Sequence, residues 1–433
     1  MKRRHLLLGG LAAAGATAAG LRPSPEGAPH SAYFARLQKE LQEHGPMKPC
    51  LVVDLDRLDR NIDRVVASVG RQPGRHLRVV EKSLPSAGLL EYVCQRSGSR
   101  RLMSFHQPFL NLDARRWPQA DILLGKPLPA RSAARFYAQH RGPFQPQQQL
   151  QWLIDSPQRL QQYLQLAQSL GQTMRINIEI DVGLHRGGVA DDASLIAMLD
   201  LITAHPRHLH FAGFMGYDPH VVALPSVVAT REELFADAMG RYQHCCDLLR
   251  ERHPSWWQPD QLTLNAAGSP TYRLHEAESL SNDIAVGTGL LKPSHYDLDT
   301  LAEHEPALFI ATPVLKASGS AQLPALPKVS QAMAWWNPNF RSTYFIYGGQ
   351  WGADFVSPTG LRHNPLYGRS ANQEMVNAST ASALGVDDLI FLRPHITEGT
   401  LLQFGDLLAL RDGRIVEQWP VFTEGQAEAA ALS

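Results

Sequence analysis

Residues 77–94 of the chain are LRVVEKSLPSAGLLEYVC. A short apolar run, 77–80, is followed closely by residues 87–94, whose apolar side chains recur at helical spacing. A strand followed by a helix is the repeating unit of parallel α/β proteins. The fold class therefore depends on whether this unit recurs along the chain.

The same alternation continues from residue 50 to residue 277. The other predicted strand and helix pairs are 50–55 with 58–69, 122–124 with 130–139, 150–154 with 157–170, 176–182 with 193–204, 211–215 with 229–252, and 262–265 with 272–277. This count favours a closed (β/α)8 TIM barrel over an open doubly wound sheet. No G-x-G-x-x-G follows any of these strands, which argues against a dinucleotide-binding domain.

The pattern changes after residue 304. Short apolar segments follow one another at 309–315, 343–347, 389–392, 401–410 and 415–422, separated by Gly, Pro and Asp. Short apolar segments separated by turn residues, without long helical periods, predict a β-rich second domain. The predicted organisation is an export signal at 1–20, a linker and lead-in at 21–46, the barrel at 47–304 and the β-rich domain at 305–433.

The first twenty residues have the layout of an export signal. Lys2, Arg3 and Arg4 precede an uncharged stretch that ends in small residues around Ala18. The stretch is too short, and too interrupted by glycine, to cross a bilayer. The consecutive arginines resemble a twin-arginine signal, which is read by a receptor for proteins exported already folded. We therefore expect cleavage after Ala18, a periplasmic location and no stable membrane anchor; an ordinary secretory signal is the alternative.

Composition excludes several classes of protein. The 433 residues carry 41 Lys+Arg and 41 Asp+Glu, so no excess charge is available to bind nucleic acid or an anionic membrane. Two of the four cysteines, Cys245 and Cys246, are adjacent, and no C-x-x-C pair exists. A zinc ribbon and a thioredoxin-type site are therefore excluded.

Lys82 follows the predicted strand 77–80, at the end of the strand where barrel enzymes collect their catalytic residues. One segment precedes Lys82 and a second contains it: PCLVVDLDRLDRNI from Pro49, and RVVEKS from Arg78. Both resemble the D-threonine aldolase and D-serine dehydratase family, which are pyridoxal-phosphate enzymes with an alanine-racemase-type barrel and a C-terminal β-domain. The resemblance implies that Lys82 carries the cofactor as a Schiff base. Because the amine must lose its proton to condense with an aldehyde, we expect a desolvated lysine.

Two further segments resemble the family in the same order. IEIDVGLHRGGV at 178–189 is similar to the family's E-x-D-V-G-x-x-R-x-G-V, whose arginine lies beside the cofactor. The resemblance implies that Arg186 contacts the cofactor's phenolate oxygen. FMGYDPH at 214–220 is similar to the next strand end, where the family places an aromatic residue against the cofactor ring. This implies Tyr217 as the ring contact and His220 as an assisting group.

Two glycine segments resemble the family's phosphate-binding loops: NAAGSPT at 265–271 and AVGTG at 285–289. Phosphate binding needs backbone N–H groups that approach closely and hydroxyl groups that donate. At the seventh and eighth strands, these segments also lie where barrels commonly bind phosphate. The cofactor-binding residues that the resemblance implies here are Gly268, Ser269, Gly287 and Thr288.

The resemblance fails at the family's metal site. Family members hold a divalent ion with a P-x-H-x-C stretch, whereas this chain has RPHITE at 393–398, so Thr397 replaces the thiolate ligand. Threonine is a poor zinc ligand. Two alternatives remain: a metal-free site, or a harder manganese or magnesium site built from His395 and Glu398. The segment YGGQWGAD at 347–354 also departs from the family.

The resemblance implies a pyridoxal-phosphate-dependent lyase that acts on D-amino acids, similar to D-threonine aldolase or D-serine dehydratase. It further implies a small-molecule amino-acid substrate and a homodimer. The departures near residues 350 and 397 leave two alternatives open: a periplasmic amino-acid racemase, or a catalytically inactive protein that still binds the cofactor.

Overall fold

The computed structural model describes residues 22–225, 227–277, 280–423 and 425; the predicted export signal lies outside this part of the chain. The chain divides into two compact units. Of the described residues, the barrel unit comprises those within 55–307, 396–407 and 419–425, and the sheet unit comprises those within 22–54, 308–395 and 408–418.

Eight parallel strands form a closed barrel in the barrel unit, which confirms the predicted barrel. In chain order they are His76–Val80, Arg101–Ser104, Asp121–Leu124, Leu150–Ile154, Met174–Ile180, Leu209–Gly216, Thr263–Ala266 and Asp283–Val286. These are called the first to eighth barrel strands below.

Helices separate most of these strands. The α-helices are Leu55–Val69, Ala87–Ser97, Gln107–Arg116, Ala130–Gln139, Pro146–Gln149, Pro157–Leu170, Asp192–Ala204, His220–Ala223 and Arg231–Arg252. Short 3-10 turns are Glu81–Ser83, Pro254–Trp256, Tyr272–Glu276, Thr288–Leu290, Ser294–Tyr296, Asp299–Leu301 and Leu401–Gln403. Local sequence fixes several helix ends; Arg231–Arg252, for example, begins with a capping box in which Thr230 and Glu233 satisfy each other's backbone N–H groups.

The sheet unit contains a nine-stranded sheet, which confirms the predicted β-rich domain. Seven strands follow one path: Arg362–His363, Gln373–Ala378, Ser342–Tyr347, Leu308–Ser318, Cys50–Asp54, Asp406–Arg411 and Arg414–Pro420. Leu389–Pro394 pairs with both Leu308–Ser318 and Ala353–Ser357. The α-helices of this unit are Ala32–His44 and Pro327–Trp336, and its 3-10 turns are Pro338–Phe340 and Thr380–Ser382.

The structure corrects the sequence analysis at the start of the barrel. Cys50–Asp54, which the pattern predicts as a barrel strand, pairs antiparallel with Leu308–Ser318. Helix Ala32–His44, predicted as lead-in, packs Leu37 and Leu41 into the same core. An apolar run buried along its whole length suits a barrel strand and the centre of a second sheet equally, so periodicity alone cannot assign it.

The second barrel strand escapes the sequence analysis, because it begins with Arg101 and only Leu102 and Met103 form an apolar run in it. The eighth, Asp283–Val286, enters the sequence analysis only through the glycine segment that follows it, and it also begins with a charged residue. Those charges are paired inside the barrel. Arg78 on the first strand is fully buried and donates to Asp283 on the eighth, with Nε 2.7 Å from Oδ1. It also donates to Asp121 at 2.7 Å, and Arg101 donates to Asp283 at 2.8 Å. Burial alone would raise the pKa of Asp283, but Arg78 and Arg101 hold it below its ordinary value.

Within the described ranges, no helix combines the length and the apolar character needed to cross a bilayer.

We predict that Asp283→Ala lowers the free energy of unfolding by about 3–5 kcal/mol, because it leaves the buried Arg78 guanidinium without its main counter-ion. Denaturant titration followed by circular dichroism measures the change. The matched control is Asp63→Ala, which breaks an exposed ion pair with Arg96 and should cost at most about 1 kcal/mol. Equal losses in the two variants would contradict the role given to the buried pair.

Candidate active site

A cavity lies at the carboxyl ends of the barrel strands, where barrel enzymes collect their functional residues. The structure brings together all seven cofactor candidates of the sequence analysis in its lining. They are Lys82, Arg186, Tyr217, Gly268, Ser269, Gly287 and Thr288.

Lys82 lies in the turn Glu81–Ser83, directly after the first barrel strand. Its Nζ is 4.7 Å from the centroid of the Phe105 ring and 3.6 Å from Oε1 of Glu398. The side chain is 46% exposed. The expectation of a desolvated lysine is therefore wrong: the amine has an aromatic ring on one side and a carboxylate facing it.

Arg186 and Tyr217 meet on another wall of the cavity. The guanidinium carbon of Arg186 lies 4.9 Å from the centroid of the Tyr217 ring, within range of a cation–π contact. Burial raises the pKa of the Tyr217 hydroxyl, so this group is protonated and able to donate at neutral pH. Burial, reinforced by Asp155, also raises the pKa of Glu179 to about 7, although Arg186 opposes the shift.

The two glycine loops are joined to each other. The backbone N–H groups of Gly287 and Gly289 donate to Oγ of Ser269 at 3.2 and 2.9 Å. A Cβ on Gly268 would lie 2.4 Å from the Tyr217 ring, and one on Gly287 would lie 2.7 Å from Cβ of Val80. Close packing therefore requires glycine at both positions, and it places their backbones at the cavity wall.

Glu398 is held by hydroxyl groups. Its Oε1 accepts from Ser83 Oγ at 2.7 Å and from Thr288 Oγ1 at 3.0 Å, and Thr397 donates to Oε2 at 3.3 Å. Ser83 and Thr288 are themselves 2.8 Å apart. The chain thus places one carboxylate, three hydroxyls and the Lys82 amine in one cluster.

The predicted metal pair has separate partners in the structure. His395 Nε2 lies 3.0 Å from Asp354 Oδ1, within the sheet unit. Glu398 is bound by Ser83 and Thr288, within the barrel unit. Among the residues that the structure describes, no group of three or more His, Cys, Asp or Glu side chains is arranged to hold a metal ion.

Other residues of the cavity wall were missed by the sequence analysis, among them Phe105, Gly125 and Tyr296. Phe105 and Gly125 directly follow the second and third barrel strands. Their positions just beyond strand ends could have identified them as site residues from the sequence. A Cβ on Gly125 would lie 2.1 Å from the Phe105 ring, which explains the glycine. His220, the predicted assisting group, instead packs beside Gly183 and does not line the cavity.

Two acids are fully buried at or near Lys82: Glu81, its neighbour in sequence, and Asp113. The Ser104 hydroxyl lies 3.5 Å from Glu81 Oε2. Burial, reinforced by Asp113, raises the pKa of Glu81 well above its ordinary value, and burial raises the pKa of Asp113 to about 7. At neutral pH the buried pair therefore retains at least one proton.

Comparison with known proteins identifies the family. The family model for the N-terminal domain of alanine racemase matches residues 53–294, which include all eight barrel strands. The chain belongs to this family. A comparison with curated protein sequences gave no significant match.

Solved structures similar to this member of the family include enzymes of three kinds. D-threonine aldolase from Filomicrobium marinum is 16% identical, with a TM-score of 0.67 over 87% of this chain and 95% of that chain. D-threo-3-hydroxyaspartate dehydratase from Delftia sp. HT23 is 18% identical, with a TM-score of 0.62 over 86% and 97%. Alanine racemase from Bacillus anthracis is 14% identical, with a TM-score of 0.63 over 86% and 97%. At these identities the likeness shows the fold, and it confirms the predicted alanine-racemase type.

We predict that Glu81→Gln flattens the dependence of stability on pH. Because Glu81 and Asp113 bind protons more tightly in the folded than in the unfolded chain, the free energy of unfolding falls as pH rises from about 4 through their folded pKa values. The glutamine removes one of these titrations. Melting temperatures between pH 5 and pH 9 should therefore fall less in the variant than in the wild type.

The matched control is Glu91→Gln, which neutralises an exposed glutamate paired with Arg116. Its pH dependence should follow that of the wild type. A Glu81→Gln variant that loses stability with pH as steeply as the wild type would contradict the buried acid pair.

Proposed function

We propose that the protein is a pyridoxal-phosphate-dependent enzyme that acts on amino acids, with Lys82 as the residue that binds the cofactor covalently. The observation that carries the proposal is the single cavity shared by Lys82, Arg186, Tyr217 and the two glycine loops. Membership of the alanine racemase family and the solved structures of the same fold support it.

The residues of the cavity fit this cofactor. Its aldehyde needs a primary amine, and Lys82 is half-exposed to the cavity. Its phosphate needs a backbone that approaches closely and a hydroxyl that donates. The packed glycines allow the approach, and Ser269, whose oxygen accepts from Gly287 and Gly289, lines the same cavity with its own proton left to donate. Its ring needs a hydrogen-bond donor and a flat wall, and Tyr217 and Arg186 supply both.

Bound pyridoxal phosphate supplies an electron-withdrawing ring that accepts the charge developing at the substrate's Cα. The chain's own residues supply binding and proton transfer. Lys82 would be the basic group at the reacting centre, and Phe105 lies against one side of its amine. Arg186 and Tyr217, which pack against each other, would hold the cofactor ring. Glu398, 3.6 Å from the lysine amine, can accept or return a proton there.

For the reaction, we propose aldol cleavage or dehydration of a β-hydroxy D-amino acid. Both require a group that takes a proton from the β-hydroxyl or returns one to it, and Glu398 is placed beside Lys82 to do so. We propose a site that works without metal, because His395 and Glu398 are committed to other partners.

An amino-acid racemase is the second candidate. Racemisation needs one proton carrier on each face of Cα, and the cavity holds Lys82 and, on another wall, the protonated hydroxyl of Tyr217. A protein that binds the cofactor without turnover would show no exchange of the α-proton.

We further propose that the mature protein is periplasmic and works as a homodimer, on the basis of the N-terminal sequence and the family resemblance. Cell fractionation and sedimentation of the purified protein test these two points.

The reaction is tested by incubating the cofactor-loaded protein in D₂O with D-threonine, D-serine or D-alanine. Glycine and acetaldehyde from D-threonine, or pyruvate and ammonia from D-serine, would support the lyase. Deuterium at Cα of both enantiomers of alanine would support the racemase instead. Absence of products and of deuterium exchange with all three would contradict an enzymatic role.

We predict that Glu398→Gln lowers the lyase rate about 100-fold or more, because it removes the proton-transfer group and retains the shape of the side chain. Steady-state kinetics with D-threonine and D-serine measure the loss. The exposed Glu91→Gln is the control and should retain the wild-type rate. A fully active Glu398→Gln, or a wild-type rate that EDTA abolishes and Mn²⁺ restores, would contradict the metal-free proposal.

A further inference from the structure

A buried polar network fastens the first glycine loop to the barrel. Asp218, Thr271 and His275 are each fully buried. Asp218 accepts a hydrogen bond from Thr271 Oγ1 at 2.6 Å through Oδ1, and its Oδ2 lies 2.8 Å from His275 Nε2. None of the three lines the cavity, so none has a role in the mechanism described above.

The Thr271 hydroxyl links this network to the loop backbone. Its oxygen accepts the N–H of Gly268 at 3.2 Å while its proton goes to Asp218. Gly268 packs against the Tyr217 ring, and Asp218 follows Tyr217 in sequence. The network therefore joins the end of the sixth barrel strand, which precedes Tyr217, to the loop that carries Gly268 and Ser269.

His275 completes the enclosure of Asp218. Its Nδ1 lies 3.4 Å from Ser281 Oγ, and the Phe235 ring packs edge-on against its ring at 4.9 Å. Burying a carboxylate and an imidazole costs free energy, and the attraction between the two groups does little more than cancel this cost. Apolar side chains of similar volume would often give the folded protein the same stability. Hydrogen bonds are directional, whereas apolar contacts are not. The polar network therefore fixes the positions of individual atoms of the loop.

We propose that Asp218, Thr271 and His275 are positioning residues that hold Gly268 and Ser269 in the geometry that binds the cofactor's phosphate. This inference rests on the proposed function, because it takes this loop as the phosphate site. The hydrogen bonds of the network reach the loop and not Lys82, so the network acts on the phosphate end of the ligand and leaves the lysine unchanged.

The test compares two probes that differ only in the phosphate: pyridoxal 5′-phosphate and pyridoxal. Equilibrium dissociation constants are measured by absorbance titration for the wild type and for Thr271→Val, which removes the hydroxyl and retains the side-chain shape. We expect Thr271→Val to weaken pyridoxal 5′-phosphate about tenfold or more, the size of one lost buried hydrogen bond. Pyridoxal should bind the variant as it binds the wild type.

Two conservative variants and one control accompany this comparison. Thr271→Ser retains the hydroxyl and should retain the wild-type preference. Asp218→Asn retains an acceptor for Thr271, so it gives a second, milder perturbation if Thr271→Val folds poorly; it should lower the preference in the same direction. Thr263→Val is the control, because it removes another buried hydroxyl from the strand before this loop, where Thr263 accepts from Gln151 at 2.8 Å. It should leave the preference unchanged.

A loss of affinity that is equal for both probes would overturn the inference, since it would show a general structural defect. Wild-type preference in both Thr271→Val and Asp218→Asn would also overturn it while leaving the proposed function intact. A wild-type protein that binds neither probe, or shows no preference for the phosphate, would contradict the proposed function and this inference together.

Discussion

The buried pair of Arg78 and Asp283 determines where the functional residues of this protein lie. It joins the first barrel strand to the eighth and so closes the cylinder. In the resulting register Arg78 lies opposite Ala285 and Val79 opposite Val286. Four residues beyond Arg78 is Lys82, and four residues beyond Asp283 is Gly287, so closing the barrel places the lysine turn beside the second glycine loop. The contact is close: a Cβ on Gly287 would meet Ser83 at 2.9 Å.

The chemistry of the site follows from what this closure brings together. Parallel strands end at one rim, and the residues just beyond their ends form the cavity. The two glycine loops are joined through the Ser269 hydroxyl, which accepts from the backbone N–H groups of Gly287 and Gly289. In the lysine turn, the hydroxyl of Ser83 donates to Glu398. Hydrogen bonds between segments distant in sequence thus fix the glycine loops and the lysine turn, and a cation–π contact joins Arg186 to Tyr217. Such fixed walls can hold an anionic ring ligand against the Lys82 amine without reorganisation at the moment of reaction.

The barrel could be predicted from the sequence because short apolar runs followed by helical periods indicate strands and helices locally. Lys82 and the glycine loops follow such runs, which predicts a place at the rim. Their selection as cofactor residues came from the family resemblance of the segments around them. The partners of Glu398 could not be predicted, since Ser83 is 315 residues away in the chain. The strand Cys50–Asp54 was assigned to the wrong sheet because all five of its residues are buried. Such a pattern does not indicate which strands pair with it. The surroundings of Lys82 were also misjudged, because its carboxylate partner is again a tertiary contact.

The central claim is that Lys82 binds pyridoxal phosphate covalently, and borohydride trapping tests it most directly. Purified protein is incubated with the cofactor, reduced with borohydride, digested and analysed by mass spectrometry, beside Lys82→Ala and Lys126→Ala. Lys126 is a control lysine that lines an adjoining cavity also reached by Lys82. The account predicts a reduced cofactor adduct on the peptide that contains Lys82, with loss of an absorption band near ~420 nm. The adduct should be absent from Lys82→Ala and present in Lys126→Ala. An adduct on another lysine, or equal labelling of the wild type and Lys82→Ala, would contradict the account.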